Sequence, residues 1–201
     1  IMENMKKSTV SKVLIAIDSF KGSLTSLEAG NAAADGIKRV FPDAVTVVRP
    51  VADGGEGTAD ALTEGLGGTK ITAEVTDPSG RKITAEYGVL PDGTAVIEMA
   101  AASGLTLIPE SQRDPMHTTS FGTGELIRSA IEKGCRRFII GIGGSATNDG
   151  GIGCLQALGF GMLDENGRQV DFGAAGLAQL HHIDMSGALP RLSECTFNIA
   201  C

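Results

Sequence analysis

Arg137-Phe138-Ile139-Ile140-Gly141-Ile142-Gly143-Gly144-Ser145-Ala146-Thr147-Asn148-Asp149-Gly150-Gly151 joins an apolar run to a glycine-rich polar loop. Arg137 to Ile142 is an apolar run of strand length, and Ile152 to Leu158 reads as a short helix. Strand, glycine-rich turn and helix in succession form the unit of an α/β fold. Glycines let the backbone approach a ligand closely, because no Cβ intervenes. Free N–H groups, hydroxyls and a helix start together suit an anion, above all phosphate. Asp149 is out of place in a purely anionic site and points to Mg²⁺ between a carboxylate and phosphate.

Lys12 to Asp18 is a continuous apolar run, as in a strand covered on both faces. Thr25-Ser26-Leu27-Glu28 fits a capping box that opens a helix to about Phe41. Val45 to Arg49 is a second strand, and Ala59 to Leu66 a helix stopped by Gly67-Gly68. Strand–helix–strand–helix order predicts a parallel sheet, the start of a Rossmann-like domain over residues 12–80. From Lys70 the texture changes. Lys70–Thr76, Lys82–Leu90 and Ala95–Met99 read as an antiparallel meander with turns at Asp77-Pro78-Ser79-Gly80 and Pro91-Asp92-Gly93. A boundary near residue 80 and a second, mixed α/β domain over 81–201 are expected. Thr118 to Gly124 leads into a helix, Glu125 to Lys133. Asp164-Glu165-Asn166-Gly167 suits a hairpin turn between Phe160–Leu163 and Arg168–Val170. Thr196 to Ala200 opens a strand pattern just before the last residue, as in a fragment.

Composition narrows the function classes. The formal charge of −7 and the absence of long Lys/Arg clusters argue against nucleic acid as a partner. No apolar stretch approaches the ~20 residues of a membrane span, and Ile1 to Ser11 reads as a polar tail without a signal-peptide pattern. Cys135, Cys154, Cys195 and Cys201 show no CxxC spacing, which fits a reducing cytoplasm rather than a disulfide frame or zinc site. A small-molecule substrate is the expected partner, with a homo-oligomer compatible.

Three polar loops follow strands: Asp18 to Ser23, Ala52 to Thr58, and Gly143 to Gly151. In parallel sheets, ligands bind at the carboxyl ends of strands. The loops carry what phosphoryl transfer needs: donors for phosphate oxygens, a lysine, and carboxylates. Gly143, Gly144, Ser145, Ala146, Thr147 and Asn148 are the candidate nucleotide cradle. Lys21 is the candidate for neutralising transferred charge, Asp53 for accepting the substrate proton, and Asp149 for catalysis or Mg²⁺. Glu56 is a candidate for Mg²⁺ and for supporting the substrate, beside Asp18 and Ser19. Thr119 and Ser120 could hold a small carboxylate at a helix start. Taken singly, most of these residues also suit turns, caps or a solvated surface. His117, His181 and His182 are too dispersed for a metal triad. Gly141 to Ala146 matches G-x-G-x-x-A with Asp164 downstream, a weak dinucleotide fingerprint, because the loop stays polar to Gly151 and Asp164 falls in a turn. No P-loop pattern is present in the sequence.

Asp18-Ser19-Phe20-Lys21-Gly22-Ser23-Leu24, Ala52 to Thr58 (ADGGEGT), Gly143 to Gly151 (GGSATNDGG) and Thr119 to Leu126 together resemble the bacterial-type glycerate kinases, the glycerate 2-kinase family. The likeness runs from about Lys12 to Cys201. It implies ATP- and Mg²⁺-dependent phosphorylation of D-glycerate to 2-phosphoglycerate with release of ADP, on two α/β domains with the site in the cleft between them. It also implies that this chain is the amino-terminal half of a protein nearly twice as long, whose other half completes the first domain and supplies more of the site. Two other readings stay open from the residues: a non-catalytic module binding a small hydroxy acid or phosphate, and an NAD(P)-binding oxidoreductase fragment.

Overall fold

The computed structural model describes residues 11–20, 23–51 and 57–201 of the chain. It is a mixed α/β structure with two compact units, Ile1–Ala52 and Asp53–Cys201.

In the first unit β1 (Lys12–Ile17) and β2 (Val45–Pro50) pair in parallel, from Lys12 opposite Val45 to Ile17 opposite Pro50. Parallel neighbours need a crossover, and α1 (Ser26–Val40) supplies it. The capping box forms as the sequence predicts: Glu28 N donates to Thr25 Oγ1 (3.2 Å), and Thr25 N donates to Glu28 Oε2 (2.8 Å). Thr25 N and Thr25 Oγ1 (3.0 Å) both donate to the Glu28 carboxylate and hold it below its ordinary range. The expectation that β1 is covered on both faces is corrected. Ile15 is buried but Leu14 is 65% exposed, because successive side chains take opposite faces and α1 covers the side bearing Ile15 and Ile17.

The second unit contains α2 (Thr58–Gly65), β3 (Thr69–Thr76), β4 (Lys82–Val89), β5 (Thr94–Glu98), α3 (Ala100–Ser103), α4 (Phe121–Glu132), β6 (Arg137–Gly141), α5 (Ile152–Ala157), β7 (Gly161–Leu163), α6 (Gly173–Leu177), β8 (His182–Asp184) and β9 (Thr196–Ala200). Its main sheet has the order β3-β4-β5-β6-β9. The meander β3-β4-β5 is antiparallel, while β6 and β9 run parallel to β5.

Alternation decides how this sheet is sandwiched. Ala95, Ile97, Phe138 and Ile140 pack with Leu126, Ile127, Ala130 and Ile131 of α4. Val96 and Ile139, one residue out of phase, pack with Ala59 and Leu62 of α2. Helices therefore cover both faces of β5 and β6, so their carboxyl ends remain as an accessible edge. On the open side of α2, Lys70 reaches Asp60 (2.8 Å) and Glu64 (3.0 Å).

Residue 80, where a boundary was expected, lies in the turn of the β3–β4 hairpin, whose strands pair from Thr69–Val89 to Thr76–Lys82, and the compact units divide at Ala52 and Asp53. Two expectations differ in detail. α4 starts at Phe121 rather than Glu125, for a reason that lies in Asp149, described below. The Asp164 turn is present, with Asn166 N and Arg168 N donating to Asp164 Oδ1 (2.8 and 2.9 Å). Its return segment makes an isolated bridge, Leu163 to Gln169, and the strand that pairs along β7 is β8.

Candidate functional site

Because β5 and β6 are parallel, Glu98 and Gly141 sit side by side at one edge of the sheet. The segments leaving the two strands are laced together. Met99 N donates to Gly141 O, Leu105 N to Gly144 O and Ala146 N to Ser103 O, each at 2.9 Å. Gly104 and Ser145 form an antiparallel bridge. The stretch after β5 is thus a floor on which the glycine loop lies. Thr118 Oγ1 holds the loop from the side, donating to Ala146 O at 2.8 Å. Gly144 has φ of 76°, a left-handed conformation that other residues adopt only with strain.

The outer face of the loop is open. Gly144, Ser145 and Asn148 are exposed, and Gly143, Ala146 and Thr147 are half-buried. Ser145 Oγ accepts from Thr147 N (3.0 Å) and lies 2.9 Å from Thr147 Oγ1, which sets two hydroxyls side by side. Among the described residues, the N–H groups of Gly143, Gly144, Ser145 and Asn148 have no acceptor. Unpaired N–H groups around a left-handed glycine make a concave surface for an anion. The six residues singled out in sequence as a nucleotide cradle are therefore brought together and face outward.

Asp149, expected to act in catalysis or Mg²⁺ binding, is placed differently from the rest of the loop. Its side chain is buried, with 1% exposure. Oδ2 accepts from Ser120 N (2.8 Å), Ser120 Oγ (2.8 Å) and Gly153 N (3.2 Å), and Oδ1 accepts from Gly151 N (2.9 Å). Ser120 Oγ in turn accepts from Cys154 N at 3.0 Å. A carboxylate spent on four donors of its own chain joins the starts of α4 and α5. It also explains why α4 begins at Phe121: the bond to Ser120 N fixes the residue just before the helix. Burial, with the Asp149 charge beside it, pushes the Cys154 thiol up to about 12.

Thr119 and Ser120, expected to hold a substrate carboxylate, are likewise turned inward. Thr119 is fully buried; its N donates to Pro78 O (3.0 Å) and its Oγ1 accepts from Phe121 N (3.2 Å). Ser120 is buried and committed to Asp149. The packing at this junction leaves no room for a methyl at Gly153, where a Cβ would stand 2.3 Å from Thr119 Oγ1 and 2.8 Å from Asp149 Oδ2.

In the first unit Asp18 and Ser19 lie half-buried at the carboxyl end of β1, with Ser19 N donating to Asp18 Oδ1 at 2.6 Å. Lys21, Asp53 and Glu56 lie outside the described residues. Among the described residues no group of three or more His, Cys, Asp or Glu side chains could hold a metal ion.

Sequence reasoning missed Glu98. This half-buried carboxylate at the end of β5 accepts from Gly57 N at both oxygens (3.2 and 3.1 Å) and from Ala59 N at Oε2 (3.4 Å). The available signal was Gly57 itself. A glycine before α2 offers no side chain to cap the helix, so a capping group must come from elsewhere.

Comparison with known proteins places the chain. Residues 13–201 match the sequence model of the Glycerate kinase family. Glycerate 2-kinase of Escherichia coli K12 is 52% identical over 191 residues, 94% of this chain and 50% of that protein. Glycerate kinase of Bacillus subtilis 168 is likewise 52% identical over 191 residues, with the same coverage. A crystal structure from Salmonella typhimurium LT2, of a candidate glycerate kinase 2, superposes with a TM-score of 0.90 at 50% identity, covering 96% of this chain and 52% of that one. The chain belongs to the Glycerate kinase family. It spans about half the length of the curated relatives it matches, aligned with their amino-terminal part. Among the described residues, no helix is long and apolar enough to cross a membrane.

Proposed function

We propose that this chain is part of a glycerate kinase that transfers the γ-phosphoryl group of ATP to the 2-hydroxyl of D-glycerate, giving 2-phosphoglycerate and ADP. The observation that carries the reading is the open glycine loop, with unpaired N–H groups and paired hydroxyls at the carboxyl edge of the parallel strands. Phosphoryl transfer requires little covalent work from a protein and depends chiefly on positioning and charge stabilisation. Gly143 to Asn148 hold phosphate oxygens with N–H and hydroxyl donors. The substrate oxygen attacks the γ-phosphorus in line, the bond from phosphorus to the β–γ bridging oxygen breaks, and ADP leaves. Asp53 takes the proton of the attacking hydroxyl and Glu56 supports it. Lys21 offsets the charge that builds on the transferred group, and Asp18 and Ser19 bind glycerate. Asp149 touches no reactant and keeps the loop in place. Magnesium enters as the counter-ion of the nucleotide substrate and neutralises charge on its phosphate oxygens. The four free cysteines fit a cytoplasmic location.

The test is ADP release by the full chain with ATP, magnesium and D-glycerate. Glycerate-dependent turnover is expected, with the product identified as the 2-phosphate. Lys21→Ala should lower kcat roughly 10²–10³-fold, the usual loss when a group aimed at developing charge is removed. ADP release indifferent to glycerate would reject the reading.

A further inference from the structure

Glu98 ties together two parts of the sheet edge that the chain itself does not connect closely. Its carboxylate caps the amino-terminal turn of α2, where Gly57 has φ of 89° and no side chain of its own. Its backbone pairs in register with Gly141, the last residue of β6 before the glycine loop. The residues that follow it, Met99 to Leu105, accept and donate the bonds that seat Gly141, Gly144 and Ala146. A shift of Glu98 would therefore move both the start of α2 and the floor of the phosphate-binding loop. The charge matters as well as the geometry. A carboxylate against the first turn of α2 satisfies its N–H groups and cancels the positive end of its dipole.

We propose that Glu98 is a positioning residue for phosphoryl transfer, acting through the first turn of α2 and the glycine loop rather than on a reactant. This rests on the glycerate kinase reading given above. Misplacing reacting groups by about 1 Å can cost about 10²-fold in rate. Glu98→Gln keeps the size of the side chain and one acceptor oxygen but loses the charge and one of the two capping oxygens.

The experiment is steady-state kinetics on the full chain, wild type against Glu98→Gln, Glu98→Asp and Glu98→Ala, at a temperature where circular dichroism shows each variant folded. Glu98→Gln and Glu98→Ala should lower kcat about 10- to 100-fold, with KM for D-glycerate within about twofold of wild type. Glu98→Asp should recover part of the loss, because it restores the charge. A merely structural role would lower the melting temperature and leave kcat of the folded enzyme unchanged, and that result would overturn the inference. A wild-type protein that shows no glycerate-dependent turnover would instead reject the kinase reading, so the two failures are separable.

Discussion

Asp149→Ala should lower the unfolding free energy of the full chain by about 3–5 kcal/mol, one of the larger effects open to a single substitution. The variant strips the acceptor from four donors at once: Ser120 N, Ser120 Oγ, Gly151 N and Gly153 N. A hydrogen bond to a charged group contributes about 1.5–3 kcal/mol, and a buried donor left unpaired costs about 1–3 kcal/mol. The losses do not sum in full, because the Ser120 hydroxyl can turn toward another acceptor and water can enter the space left behind. Asp149→Asn should recover only part of the loss. Its amide nitrogen is a donor and faces donors on whichever side it is placed. Urea unfolding followed by circular dichroism measures both variants. Midpoints equal to wild type would show that Asp149 is not the junction between α4 and α5.

Gly153→Ala should damage the same junction from the opposite direction, by adding atoms. The new methyl would meet Thr119 Oγ1 at 2.3 Å, with Asp149 Oδ2 and Phe121 N both at 2.8 Å. None of these is the free end of a flexible side chain. Thr119 and Asp149 are fully buried, and Phe121 N is backbone. Overpacking of a tight site costs about 1–3 kcal/mol and is relieved by movement of the backbone. The backbone that must move is the root of α5, which follows directly from the glycine loop. Loss of activity should therefore exceed what the loss of stability explains. A lower melting temperature is expected, together with at least about a tenfold fall in kcat of the folded protein. Unchanged values of both would contradict the packing described for Gly153.

Much of this architecture was legible before any coordinates. Thr25 and Glu28 announce the start of α1 because the capping box is a local device, complete within four residues. The alternation of Ala95, Val96 and Ile97 carries the two-sided burial of β5 for the same reason. The glycine loop was legible as a candidate phosphate site because its chemistry lies in consecutive residues. What escaped the sequence is what depends on distant partners. Asp149 looks like a ligand in its own loop, and only Ser120, 29 positions away, shows that it is turned inward. Glu98 ends an apolar strand without distinction, and its role comes from Gly57, 41 positions away. Thr119 and Ser120 look like exposed hydroxyls at a helix start and prove to be its buried fastening. The choice of β8 as partner of β7 is likewise nonlocal, since the nearer segment, Arg168 to Val170, satisfies the turn but pairs at a single bridge.

In the proposed kinase the loop from Gly143 to Asn148 receives the nucleotide's phosphates. Amide NMR of the nitrogen-labelled full chain, titrated with magnesium and a non-hydrolysable ATP analogue, tests it most directly. The N–H signals of Gly143, Gly144 and Ser145 should shift downfield together and saturate at one ligand per chain, with Gly57 and Ala59 much less affected. Saturable binding that leaves those three signals in place while Gly57 and Ala59 move would contradict it.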